Sequence, residues 1–314
     1  MNIYICIEIA PRELDSKLLL ATLAASKGHE VIVSDLNGIM TGIKRGVLAP
    51  GIFHDKSLTP NDKKIARHQF IIDNGFVITS IDEENNLINY GYDKFARDRY
   101  SEQTIKYSSA IFGWGPEDVE SLKRIYPKHS LKIHMTGSPR VDLLKSLFSK
   151  YWGIPKTASK KPYLLVSSNL LSLWLKPFHE SIKHLKSAGY LKRDPQLFKK
   201  RCGEMAESYH KMSSFVEAIQ HLANHNNGYD IVLRPHPAED IEAWKIFLED
   251  IPNVHVVREG SAIPWINNAF ALMHNGCTTA LEATIYGKPV VTYIPFKQEY
   301  SGEAANELGY RVES

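Results

Sequence analysis

Scarcities in this sequence exclude several kinds of protein. Only three cysteines occur, Cys6, Cys202 and Cys277, far apart and in no Cys-x-x-Cys or Cys/His grouping. That pattern argues against a disulfide framework or a zinc site and fits a reducing compartment. No apolar run approaches the ~20 residues needed to span a bilayer. The opening strand pattern at residues 3–9 meets charged residues at once, so it does not read as a signal peptide. A cytoplasmic protein is expected. The net charge of +3 is too small to argue for a nucleic-acid partner. The glycine-rich dinucleotide loop, the P-loop and the Gly-x-Ser-x-Gly elbow are all missing, which argues against NAD or FAD in the first half.

What is present is ordinary globular material in sufficient length. With 314 residues, 43% hydrophobic and 23% charged, the chain can bury two cores. Strand-like runs alternate with helical periodicity, which predicts βαβ units and parallel sheets. In the first half the pattern predicts strands at 3–9, 31–34, 47–53, 76–81, 110–114 and 132–135. Helices are predicted at 14–27, 60–74 and 116–126, the second capped by Thr59 with Pro60 at its start. Residues 151–162 change character and read as a linker, giving domains at 1–150 and 160–314. The second half restarts with a strand at 163–166, followed by a polar helical insert at about 170–226. Strands at 230–233, 254–257, 270–273 and 290–293 follow, with helices at 239–248, from 277, and at 303–308. The end at Ser314 is read as a truncated, or unusually short, second domain.

The chemistry gathers just past strand ends, where ligands of open α/β sheets bind. After the 270–273 strand, His274-Asn275-Gly276-Cys277-Thr278-Thr279 forms a turn that opens a helix. Free helix-start N–H groups, with Asn275, Gly276, Thr278 and Thr279, make an anion site, and Glu282 one turn on can hold ribose hydroxyls. Arg234-Pro235-His236-Pro237 is a stiff turn carrying a bidentate phosphate partner and a proton donor. Ser167-Ser168-Asn169 offers further hydroxyl and amide donors, although such residues also suit plain turns. Gly260 and Ile263 stand in a loop placed to touch a base through its backbone. In the first half Glu8, Arg12, Glu13, Asp15 and Lys17 cluster after the first strand, and Lys56 and Asp82-Glu83-Glu84 follow later ones. Glu8 is a candidate catalytic carboxylate, whereas Glu13 and Asp15 read as a helix-start ion-pair set. The absence of an Asp-x-Asp motif disfavours a metal-dependent transferase, and no metal or cofactor is expected. Lys183, Lys186, Lys192, Arg193, Lys199, Lys200 and Arg201 make the insert basic. A solvated face is the first reading and an anionic membrane surface or glycan the second.

Several segments together resemble a bacterial family of surface carbohydrate biosynthesis proteins, within the GT-B glycosyltransferases. They are Glu8-x4-Glu13-x-Asp15-x-Lys17, Asp55-Lys56-Ser57, Gly113-Trp114-Gly115, Thr136-Gly137-Ser138-Pro139-Arg140-Val141-Asp142, Arg234-Pro235-His236-Pro237, Gly260-Ser261-x-Ile263-Pro264-Trp265 and His274-Asn275-Gly276-Cys277-Thr278-Thr279. The resemblance implies two Rossmann-like domains facing a cleft, an acceptor-side first domain and a nucleotide-sugar-binding second domain. It implies a CMP-linked donor of the Kdo or nonulosonate type and a glycan or lipid-linked glycan acceptor, and peripheral inner-membrane contact stays the second reading of the basic insert. Carried onto this chain, Arg234 and His236 hold the donor phosphate with Ser167, Ser168, Asn275, Gly276, Thr278 and Thr279. Glu282, Gly260 and Ile263 then meet the ribose and base. Arg12, Lys17, Lys56, Ser138, Arg140 and Asn169 are expected near the sugar or acceptor, with Glu8 and His236 catalytic. The Thr136–Pro139 and Asn275–Glu282 segments are also similar to UDP-sugar 2-epimerases, and a non-catalytic nucleotide-binding subunit is the third reading.

Overall fold

The computed structural model describes residues 1–85, 91–155, 161–170, 178–187, 195–225, 228–237, 239–297 and 304–313. These form two compact units, Met1–Lys145 and Ser146–Ser314.

In the first unit six strands pair in parallel: β1 (Asn2–Ile7), β2 (Glu30–Asp35), β3 (Ile52–Asp55), β4 (Val77–Ile81), β5 (Ser108–Gly113) and β6 (Ile133–Met135). Their order is β2-β1-β3-β4-β5-β6. The chain therefore reverses direction of growth between β1 and β3, and a crevice opens there outside the carboxyl ends. The helices are α1 (Ala10–Ser26), α2 (Leu36–Lys44), α3 (Asp62–Asp73), α4 (Tyr92–Arg99), α5 (Glu102–Tyr107), α6 (Pro116–Ile125) and the single turn α7 (Pro139–Asp142). Tyr4, Cys6, Phe53 and Ile78 of the sheet pack with Ile39, Ile43 and Ile71 of α2 and α3. A second cluster joins Ile111 and Ile133 to Phe95, Ile105, Val119 and Leu122.

Two local expectations shift. The strand expected at 47–53 begins only at Ile52, and Val47 is 72% exposed. The Val47 amide instead donates to Gly42 O at 3.1 Å, capping α2 through Gly46 in the left-handed region (φ +66°). Helices α2, α4 and α5 were not predicted. Asp35 caps α2 by accepting from the Gly38 amide at 2.6 Å, and Ser101 and Thr104 form a capping box on α5.

The second unit holds β7 (Tyr163–Ser167), β8 (Asp230–Arg234), β9 (Val254–Val256), β10 (Ala271–His274), β11 (Val290–Ile294) and β12 (Tyr310–Glu313), all parallel. Their order is β12-β11-β10-β7-β8-β9. Growth reverses between β7 and β10, which fixes the crevice of this sheet. The insert supplies α8 (Phe178–Ser187) and the long α9 (Pro195–His225), and α10 (Ile241–Leu248), α11 (Ile263–Asn268) and α12 (Thr279–Ile285) follow. Met212, Phe215, Val216, Ile219 and Ala223 recur at helical spacing on α9. They pack on Leu164, Val166, Ile231, Leu233, Ala271 and Met273 of the sheet. The helix expected from Glu239 starts at Ile241, behind an Asp240 cap. The helix expected at 303–308 is a 3-10 turn at Ala304–Glu307, leading into edge strand β12. No described helix is long and apolar enough to cross a membrane.

Candidate functional site

Ser167, Ser168 and Asn169 leave the end of β7, and His274 to Thr279 leave the end of β10. These strands pair directly, with Ser167 opposite His274. Asn169 closes the gap, its Nδ2 donating to Gly276 O at 2.8 Å. The turn after β10 is held from its other side as well. Asn275, 1% exposed, donates Nδ2 to Tyr293 O at 2.7 Å, and the Gly276 N–H donates to Asn306 Oδ1 at 2.6 Å. Gly276 carries φ +65°, a conformation side-chain-bearing residues rarely adopt.

This bracing corrects part of the expected anion site. The Gly276 amide is engaged, and the first turn of α12 closes through Ala280 N–H to Cys277 O and Leu281 N–H to Thr278 O, both at 3.1 Å. The Cys277 amide points at His274 Nδ1 at 3.4 Å. The Thr278 N–H has no acceptor among the described residues. The Thr279 hydroxyl lies beside the Cys277 thiol. Burial pushes that thiol up, against the pull of the Thr279 hydroxyl and amide. Glu282 is buried on the same helix, at 7% exposure.

Ser168 is also corrected as a phosphate donor, because its hydroxyl donates to Glu239 Oε2 at 2.7 Å. Ser167 stays buried beside it. Arg234, expected to hold the donor phosphate, also anchors a neighbouring loop. Its two terminal nitrogens donate to Glu259 O at 2.8 Å and Gly260 O at 3.0 Å, and its guanidinium lies 5.4 Å over the Trp265 ring. Burial lowers its pKa to about 10, so it is still a cation at neutral pH. The Ile263 amide meets Ser261 Oγ at 3.3 Å, which engages a donor expected for the base. His236 is half-buried in the turn after β8.

In the first unit, Glu8 stands exposed past β1 and pairs with Lys56 past β3, so both flank that sheet's crevice. Glu13 turns inward at 3% exposure and accepts the Glu8 amide at 2.9 Å. Lys17, expected near the acceptor, is 2% exposed and paired with buried Glu83. Its ammonium is a structural partner, enclosed because Glu83 neutralises it. Arg12 is exposed on α1, Ser138 is buried ahead of α7, and Arg140 is half-buried within it. Asp55 accepts His68 Nε2 at 2.8 Å and lies 3.5 Å from Lys64. Burial pushes the Asp55 carboxyl up, but the His68 bond and the nearby cations outweigh it and leave the pKa at about 2. In the basic insert Lys183 and Arg201 pair with Glu180 and Glu204, and Lys199 and Lys200 are exposed. Lys192 and Arg193 lie outside the described residues. No group of three or more metal-binding side chains is assembled among the described residues.

Sequence reasoning missed Glu239, read as an ordinary helix start. It also missed His274 and Asn306 as braces of the turn after β10. The only available signal for Glu239 was an acid two residues past His-Pro, which gives no hint of burial.

No family model and no curated protein matches the sequence. Solved structures do match. The S. aureus MnaA–UDP co-structure aligns at 13% identity and TM-score 0.53, over 93% of this chain and 78% of that one. Methanocaldococcus jannaschii UDP-GlcNAc 2-epimerase, in complex with UDP-GlcNAc and UDP, aligns at 11% and 0.52, over 93% and 83%. A further UDP-N-acetylglucosamine 2-epimerase aligns at 11% and 0.51, over 95% and 79%. The fold is GT-B-like. At such identities the likeness carries architecture alone: two Rossmann-like units, each with a parallel six-stranded sheet.

Proposed function

We propose that the chain is a nucleotide-sugar enzyme whose second unit holds the nucleotide at the β7/β10 crevice. The observation that carries this reading is the Asn169–Gly276 bond, which joins two polar turns at the one place where the sheet reverses its order. His236, the Thr278 hydroxyl and amide, and the remaining N–H groups of Arg234 supply donors for a phosphate. Glu282 faces the ribose. The finer reading is a glycosyltransferase of surface polysaccharide assembly that uses a CMP-linked ulosonic acid donor and a glycan acceptor. In it, His236 offsets charge on the departing CMP, and Glu8, paired with Lys56, acts as the carboxylate at the first unit's crevice.

A second reading, a UDP-sugar 2-epimerase, draws support from the structural likeness to proteins whose structures hold UDP. Thermal shift and calorimetry with CMP, CDP, UMP and UDP separate the two, since a ligand of the native state raises apparent stability with occupancy. CMP binding that His236→Ala weakens at least tenfold supports the transferase. Preference for UDP moves the epimerase ahead. Binding of none of the four sinks the nucleotide-sugar reading in both forms.

A further inference from the structure

Glu239 is buried to 2% exposure at the carboxyl edge of the second sheet. Its Oε1 accepts the Leu170 amide at 2.8 Å, and its Oε2 accepts Ser168 Oγ at 2.7 Å and Trp244 Nε1 at 2.9 Å. Its own amide donates to His236 O at 2.9 Å, and its carbonyl accepts from the Arg258 guanidinium. One residue thus links the turn after β7, the His236 turn after β8, the segment after β9, and α10. Burial pushes the Glu239 carboxyl up, while its three donors and the Arg258 charge act against that.

A parallel sheet fixes its strands by the ladder but leaves the loops beyond them free. A buried carboxylate is a costly way merely to stabilise such an edge, because apolar packing of equal volume does as well or better. Its particular property is directional: three donors, two from the turn after β7 and one from α10, must converge on two oxygens of a residue whose backbone closes the His236 turn. We propose that Glu239 is a positioning residue, which sets the Ser167-Ser168-Asn169 turn, and through the Asn169–Gly276 bond the Thr278 turn, against the His236 turn so that a nucleotide phosphate meets Thr278 and His236 together. This rests on the nucleotide-binding reading above.

Glu239→Gln tests it, because the amide cannot satisfy every donor. With its oxygen toward Trp244, its NH2 faces the Leu170 N–H, and the flipped amide faces the Trp244 N–H instead. Amide exchange is measured on folded protein, at a temperature where circular dichroism matches wild type. Exchange at 168–170 and at the Arg234 and His236 amides is expected to quicken about tenfold or more, while 163–166 and 230–233 hold. Affinity for whichever of CMP, UMP, CDP or UDP wild type binds best is expected to fall about tenfold. Should Glu239→Gln fail to fold, Glu239→Asp, one methylene too short to reach both turns, carries the same measurements. Unchanged exchange at the Arg234 and His236 amides overturns the proposal, and so does wild-type affinity despite faster exchange. If wild type itself binds no nucleotide, the functional reading falls, and the exchange pattern alone decides whether Glu239 couples the two turns.

Discussion

His274 shows how one buried side chain can set both a turn and a pH response. It is 0% exposed, with Nε2 2.9 Å from Thr292 Oγ1 and Nδ1 facing the Cys277 amide. The Thr292 hydroxyl donates to Leu308 O, so its oxygen accepts from Nε2–H, and Nδ1 carries the lone pair. A second proton on Nδ1 would meet the Cys277 N–H head on, and burial lowers the pKa from 6.5 to about 4. Between those values the unfolded chain binds the proton that the folded chain refuses. Stability therefore rises with pH in this window and is lost as pH falls from about 6.5 toward 4, on the order of 1 kcal/mol per pH unit. His54, lowered to about 3 mainly by burial, adds a slope of the same sign. Melting temperatures from pH 7 to 5 should fall with acid, and less so in His274→Gln. An equal slope in that variant would count against the buried neutral histidine. In the sequence His274 was legible only as a break after a strand, because burial and tautomer come from Thr292 and Leu308, far along the chain.

Helix starts were legible as elements but not always as caps. The sequence favours Thr59 before Pro60, yet α3 begins two residues later, with Asn61 Oδ1 accepting the Lys64 amide at 2.8 Å. Lys64 explains the delay. Its ammonium reaches back to Ser57 O at 2.7 Å and Ser57 Oγ at 2.8 Å, which keeps the 57–61 stretch out of the helix. Asn61→Ala should cost about 1 kcal/mol in chemical denaturation, while Thr59→Ala should lie within about 0.5 kcal/mol of wild type. The reverse order would place the cap at Thr59. The basic cluster of the insert behaves similarly: its charges were countable in the sequence, but the pairing of Arg201 with Glu204 at 2.6 Å was not.

For the molecule as a whole, the nucleotide reading predicts a response confined to one unit's strand ends. With saturating nucleotide, amide exchange should slow at 167–169, at Arg234 and His236, and at 274–279, while β1 and β3 of the first unit keep their rates. Slowing centred on residues 8 and 56 instead would move the nucleotide to the first sheet. The expectation uses strand order, since each parallel sheet has one crevice where growth reverses, at β1/β3 and at β7/β10.

The sequence by itself determined the alternation of strands and helices and the two-unit α/β architecture. Hydrophobic period and turn residues act over a few positions and can be read locally. It also put polar motifs just past strand ends, including the segments around His236 and Asn275. Only the tertiary structure decided which of those ends are neighbours and which polar atoms are left for a ligand. Pairing of β7 with β10 bridges the whole insert, and no local signal specifies it. Saturation of donors is likewise non-local: Ser168 goes to Glu239, Gly276 to Asn306 and Arg234 to two carbonyls, each satisfied because a buried polar group without a partner is costly.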